Sequence, residues 1–195
     1  MQRFAVLLAA VAMLFPATST VLGAVIDFES FPSTPFSSYT ESGVTFTPVG
    51  SPTDTCQALP TPNGTRGIAG GESFAWLPVR ADISGGTGSV AVDLGDFSGG
   101  DSETLYLEVF NQAGQSLGRA EQYQSLSDPV RMYTLSLTLP GIAYAEFGSY
   151  GGLYGSGVLG DNFTFDSSSP PIPEPSTVLI WSLLAGLGLL WYRRR

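Results

Sequence analysis

The residue types needed for nucleophilic catalysis are missing from this chain. It contains no histidine and no lysine, so a Ser-His-Asp, Cys-His or Ser-Lys arrangement cannot form. The single cysteine, Cys56, is the only soft metal ligand, which argues against zinc. It also excludes an intramolecular disulfide. We expect Cys56 to be either a small residue in a loop or a buried thiol, and the alternative is a thiol that crosslinks to a partner. A pair of carboxylates could hydrolyse a glycoside, but no spacing places such a pair, and we therefore expect a protein that is not an enzyme.

Carboxylates are the best candidates for metal binding. Asp27 and Glu29 alternate with apolar neighbours and point to one face of a predicted first strand. If the first and last strands pair, Asp161 or Asp166 approaches them, and oxygen-rich sites of this kind suit calcium. The acidic loop 96–103 is a second calcium candidate, without EF-hand spacing. The alternative is that all these acids are ordinary solvated side chains, and no other cofactor is expected.

Aromatic residues near glycine-rich turns could bind a carbohydrate. Tyr150 and Tyr154 lie in SYGGLYGSG, and Trp76 lies near another turn. Flat rings with a polar edge stack on sugars and are favoured at binding surfaces. The alternative is that these rings pack against the domain itself.

The charge of the body excludes one class of partner. Residues 25–169 contain sixteen acidic residues and four arginines, a formal charge of about −12. Nucleic-acid binding requires clustered lysine and arginine to neutralise phosphates. We therefore expect no nucleic-acid partner.

Short segments of the body alternate between apolar and polar residues, which is the pattern of half-buried strands. The alternating apolar sets, each with one face inward, are Ile26 and Phe28; Val44 and Phe46; Val90, Val92 and Leu94; Leu105, Leu107 and Val109; Leu135, Leu137 and Leu139; and Phe163 and Phe165. Residues 111–114 predict a hairpin turn that leads to a strand over 117–121. The segment AYAEFGSY is a further strand candidate, and no helical stripe is present.

This pattern predicts an all-β domain over residues 25–166. About eight short strands without helices are typical of an antiparallel β-sandwich of jelly-roll type. Residues 48–72 are rich in Pro, Gly and Thr, and we expect them to form a long surface loop.

The first 24 residues have the composition of a secretory signal peptide. Arg3 supplies the positive start, residues 4–15 are apolar, and small residues follow near Gly23. Such a segment is removed on export and is no part of the fold.

The end of the chain predicts a membrane tail. Residues 167–175 form a Ser- and Pro-rich linker, and residues 176–192 carry no charge. As a helix these seventeen residues would span about 25 Å, slightly less than the hydrocarbon core. Arg193, Arg194 and Arg195 should stay cytoplasmic by the positive-inside rule. We therefore predict one transmembrane helix over 176–195, with the body on the far side.

The tail closely resembles the PEP-CTERM sorting signal of bacterial exported proteins. The resemblance rests on Pro173, Glu174 and Pro175, on the glycine-interrupted apolar stretch, and on the terminal Arg193, Arg194 and Arg195. It implies handling by an exosortase near the Pro-Glu-Pro, and a cell that makes an extracellular polysaccharide matrix. The body more loosely resembles the lectin-like sandwiches often found in front of this tail.

Two functions follow as expectations. The first is an exported protein, anchored in the inner membrane as a precursor and then delivered to the cell surface or extracellular matrix, with a structural or adhesive role. The alternative is a carbohydrate-binding module that recognises extracellular polysaccharide, with or without a structural calcium.

Overall fold

The computed structural model describes residues 23–72, 75–96, 102–127, 131–152 and 158–166. These ranges contain β-strands and no helix, which confirms the all-β prediction. The strands are β1 (Ala24–Ile26), β2 (Tyr39–Glu41), β3 (Val44–Pro48), β4 (Cys56–Pro60), β5 (Arg66–Glu72), β6 (Ala75–Leu77), β7 (Val79–Asp96), β8 (Glu103–Phe110), β9 (Ser116–Gln124), β10 (Tyr133–Tyr150) and β11 (Val158–Phe165).

Two long strands, β7 and β10, bend at a common corner and join two layers. Each has 18 residues, and they pair with each other on both sides of the bend. Register shifts fall between Thr138 and Tyr144. Gly85, Gly86 and Gly141 have φ values of 83°, 73° and 81°, a region that disfavours side chains. Glycine at these positions therefore allows the strands to turn from one layer into the other.

Each half of the bent pair of strands belongs to one layer. Before the bend, β7 pairs with β3, and β10 after its bend pairs with β8, which pairs with β9. We call this layer, completed by β2, the second sheet. After the bend, β7 pairs with β11, which in turn pairs with β1 and β5. We call this layer, completed by β4 and β6, the first sheet.

The core lies between the two sheets. Phe147 of the second sheet and Phe163 of the first have ring centroids 6.0 Å apart. Phe163 also lies edge-on to Phe46, at 5.4 Å. All three rings are almost fully buried, and such aromatic contacts stabilise a core beyond their buried area. The arrangement is that of a β-sandwich.

The predicted apolar sets face this core. In β8, Leu105, Leu107 and Val109 are fully buried and alternate with half-exposed residues. The first and last strands pair, with Ile26 opposite Phe163. Ala24 already pairs with Phe165, so the first strand begins one residue before the predicted domain boundary.

The prediction of a surface loop over residues 48–72 is wrong, because β4 and β5 form there as a pair at the edge of the first sheet. Gly70 packs closely: a Cβ would lie 2.5 Å from the Leu77 carbonyl oxygen. At Gly67 a Cβ would lie 2.7 Å from the Gly160 carbonyl oxygen. Glycine at these positions allows two backbone segments to approach closely. Composition alone does not distinguish this role of glycine from its role in flexible loops.

The predicted signal peptide lies almost wholly outside the described residues, and the linker 167–175 and the tail 176–195 lie wholly outside them. Within the described ranges, no helix has the length and apolar character needed to cross a membrane.

Candidate functional site

The outer face of the second sheet carries an ordered set of aromatic and charged side chains. Alternation in β8 sends Leu105 and Leu107 into the core and leaves Tyr106 and Glu108 on the outer face. The register places Glu108 beside Glu146 of β10 and Arg119 of β9. The sheet therefore aligns residues that are distant in sequence into rows across the strands.

One arginine organises the β9 side of this face. The Arg119 guanidinium carbon lies 4.1 Å from the ring centroid of Tyr106 and 5.0 Å from that of Tyr150. Its Nε is 2.6 Å from Glu121, and one terminal nitrogen is 3.3 Å from Glu108. Cation–π contact and ion pairing together fix the guanidinium group over Tyr106.

A second arginine occupies the side nearer the corner. The Arg80 guanidinium carbon lies 3.6 Å from the ring centroid of Tyr144, and its nitrogens donate to both carboxylate oxygens of Asp82. Phe110 also stacks on Tyr144, with centroids 4.7 Å apart and planes 9° apart. Protein groups therefore contact this ring closely.

Beside Arg119 and Tyr106 lies an open groove of about 620 Å³, within the size range of small-molecule sites. It is lined by Pro78, Tyr106, Arg119, Glu121, Ser149 and Tyr150. Gly148 pairs with Tyr106, and a Cβ on Gly148 would lie 3.1 Å from Pro78 Cα. Pro78 therefore packs against Gly148 in the space that a side chain would occupy.

Partial burial and neighbouring acidic side chains shift the pKa values of groups on this face. Burial, with a smaller contribution from the charge of Glu146, raises the pKa of Tyr106 to about 12. Burial also raises the pKa of Glu146, which Arg80 opposes by lowering it. Among the described residues of this face, two arginines lie near four acids: Asp82, Glu108, Glu121 and Glu146. The excess of negative charge disfavours anionic ligands.

The predicted glycan residues have different positions. Tyr150 lines the groove and is 46% exposed. Trp76 lies in β6 opposite Gly71, and is half-buried and not part of the groove lining. Tyr154 lies outside the described residues. The roles of Trp76 and Tyr154 in carbohydrate binding therefore stay predictions.

Sequence reasoning missed the other groove residues, Tyr106, Arg119 and Glu121, as well as Tyr123 beside them. A signal was present, since Tyr106 and Glu108 are the polar partners in the alternating TLYLEVF. The predicted hairpin at 111–114 would also have aligned β9 with β8. What could not be predicted is which distant strand adjoins β8 on its other side.

The predicted calcium residues are engaged as follows. Asp27 accepts a hydrogen bond from the Glu29 backbone N–H, and Glu29 accepts one from the Arg66 backbone N–H at 2.8 Å. Asp161 is fully buried and accepts from Thr65 Oγ1 at 2.6 Å. Asp166 accepts from Ser89 Oγ at 2.5 Å.

In the part of the chain that the structure describes, no group of three or more His, Cys, Asp or Glu side chains is arranged around a common metal position. The ends of the acidic loop, Asp96 and Glu103, are each 3% exposed, and residues 97–101 lie outside the described part. The calcium hypothesis stays a prediction.

A second cleft, of about 740 Å³, lies at the corner. Its lining comes mostly from residues 85–88 and 140–143 and carries no charged side chain. It offers few directed hydrogen-bonding groups, which makes it a weaker candidate for a specific site.

No protein-family model and no curated protein sequence matches this chain. Among solved structures, a DUF4465 family protein from Bacteroides caccae is similar over 75% of this chain and 100% of its own, with 12% identity and a TM-score of 0.47. The CBM22-1–GH10 modules of Clostridium thermocellum xylanase 10B, solved with xylohexaose, match over 74% of this chain and 28% of their own, with 13% identity and a TM-score of 0.43. A family 6 carbohydrate-binding module matches over 74% and 94%, with 19% identity and a TM-score of 0.39.

Proposed function

We propose that this domain is a carbohydrate-binding module that binds extracellular polysaccharide in the groove on the outer face of the second sheet. The observation that carries the proposal is the placement of exposed tyrosine rings beside a groove whose charged side chains are already held in position. Tyr150 and Tyr123 are 46% and 59% exposed, although both belong to regular strands. Large exposed rings on a rigid surface mark binding sites.

The groove supplies the two kinds of contact that a sugar needs. A tyrosine ring offers an apolar face to the C–H groups of a pyranose. Arg119 and Glu121 offer donors and acceptors to its hydroxyl groups. Their mutual ion pair and the cation–π contact fix these side chains before the ligand arrives, which lowers the entropy cost of binding.

The excess of acidic side chains on the outer face favours an uncharged polysaccharide over an anionic one. The four acids of the face repel uronic-acid or sulfated chains more strongly than its two paired arginines attract them. We therefore propose that the ligand is uncharged. The proposed role is binding without catalysis, and a release of reducing sugar from bound polysaccharide would contradict it.

The proposed location is the cell envelope or extracellular matrix, reached by export and by exosortase processing of the tail. The position of the domain ends is compatible with this. The Thr87 hydroxyl donates to the Asp166 carbonyl at 2.7 Å, so β11 leaves the domain at the corner. Tyr150 is the last residue of β10, at the end of the second sheet away from the corner. A tail attached after Asp166 would therefore begin at a distance from Tyr150.

The test is a binding assay of the purified full-length protein against a panel of neutral and anionic polysaccharides. Saturable binding to a neutral chain is expected, and Tyr150→Ala should weaken it about tenfold through loss of one stacking contact. Val25→Ala is the matched control, because Val25 is 60% exposed on β1 of the first sheet. Equal loss in both variants, or binding to no polysaccharide, would contradict the proposal.

A further inference from the structure

Two exposed tyrosines are aligned across three strands. Tyr123 of β9 lies directly opposite Thr104 of β8, and Tyr150 of β10 lies opposite the same threonine on the other side. All three positions share the outer face. Neighbouring strands are about 4.8 Å apart, so the Cα atoms of the two tyrosines are separated by about 10 Å across the sheet.

The other rings of this face are less available for stacking. Arg119 lies 4.1 Å from the ring centroid of Tyr106 and farther, at 5.0 Å, from that of Tyr150. Arg80 lies over Tyr144 at 3.6 Å, and Phe110 stacks on the same ring. Tyr123 and Tyr150 are the tyrosines of the described outer face with the largest exposed fractions. A ligand that stacks on this face is therefore expected to meet these two rings.

The separation matches a particular kind of polysaccharide. In an extended chain of equatorially linked pyranoses, alternate sugars present the same face. The repeat of two sugars is about as long as the distance between β9 and β10, which lie on either side of β8. We propose that the outer face beside the groove binds a linear β-1,4-linked polysaccharide running across the strands, with alternate sugars on Tyr150, which lines the groove, and on Tyr123, and the intervening sugar above Thr104. This rests on the proposed carbohydrate-binding function.

The residues between the two rings suit the middle sugar. The Thr104 side chain is half-buried on the outer face, and its hydroxyl can donate and accept. On β9, Glu121 lies one same-face position from Tyr123 towards the corner, and Arg119 lies two positions away. Chains that coil, such as α-1,4-linked glucans, turn successive sugars away from a flat sheet and would reach only one ring.

The experiment is calorimetric titration of the full-length protein with β-1,4-linked oligosaccharides of two to six sugars, and with α-1,4-linked oligosaccharides of the same lengths. Affinity for the β-linked series should rise about three- to tenfold between the disaccharide and the trisaccharide, when the second ring is engaged. Little further gain is expected beyond three sugars, and the α-linked series should show no such step.

The variants separate this inference from the function on which it rests. Tyr123→Ala should remove the trisaccharide step and leave disaccharide affinity unchanged, Tyr123→Phe should keep the step, and Val25→Ala should change neither. If polysaccharide binding depends on Tyr150 but the step is absent or insensitive to Tyr123→Ala, the two-ring path is wrong and the module remains. If no carbohydrate binds, both proposals are wrong.

Discussion

Replacing Gly160 by alanine tests the face-to-face packing of the two sheets. Gly160 of β11 lies beneath Phe147 of β10, and a Cβ added there would lie 2.5 Å from Phe147 Cε2. The ring is 1% exposed and packs near Phe163, so it has little space to move away.

The magnitude follows from this overlap. Overpacking a dense core costs about 1–3 kcal/mol, and a glycine-to-alanine change returns about 0.4–1 kcal/mol by restricting the unfolded chain. The net loss is therefore about 1–2 kcal/mol. For a domain of this size it should lower the melting temperature by about 2–8 °C.

The assay is thermal unfolding of the full-length protein followed by circular dichroism, with Gly88→Ala as the matched control. A Cβ at Gly88 would meet no atom within 4 Å, so that variant should melt at the wild-type temperature or slightly above it. Adding Phe147→Leu to Gly160→Ala should cost less than the sum of the two single changes, because it removes the clashing ring edge. A Gly160→Ala variant as stable as Gly88→Ala would refute the packing described here.

Three further predictions concern buried and paired groups. Burial raises the pKa of Asp161, and the charge of Asp93 adds to this rise. The folded protein therefore binds the Asp161 proton more tightly than the unfolded chain does. The stability gained from this protonation is present at acidic pH and is lost as the pH rises through the folded-state pKa. Asp161→Asn should therefore show a flatter dependence of melting temperature on pH than wild type, and an unchanged pH profile would contradict this. Arg119→Ala should weaken polysaccharide binding about tenfold but change unfolding by less than about 1 kcal/mol, because its ion pairs are partly exposed; equal effects on both would contradict its role in the groove. Burial raises the pKa of Cys56 to about 12, so a thiol reagent at pH 8 should label it only after unfolding, and rapid labelling of the folded protein would contradict its burial.

The elements that sequence predicted are those with strict alternation. Leu105 and Leu107 share a face because side chains alternate along a strand, and no tertiary information is needed to infer it. β4 and β5 were missed because their buried positions include glycines whose role depends on distant partners, such as the Gly160 backbone beside Gly67.

The groove residues also divide into those that local sequence could place and those that it could not. The approach of β9 to β8 follows from a local hairpin and was within reach of sequence analysis. The pairing of Tyr123 with Thr104 also depends on a register shift between Val109 and Phe110, which the sequence does not signal. The approach of Tyr150 depends on β10, which reaches β8 only after bending from one sheet to the other. Long-range pairing of this kind has no local sequence signal.

The most direct test of the carbohydrate-binding claim is amide NMR of the protein during titration with a neutral β-1,4-linked oligosaccharide. We predict shift changes concentrated in β8, in β9 and in the part of β10 near Tyr150. Changes confined to the corner cleft at residues 85–88 and 140–143, or no saturable change with any neutral polysaccharide fragment, would contradict the claim.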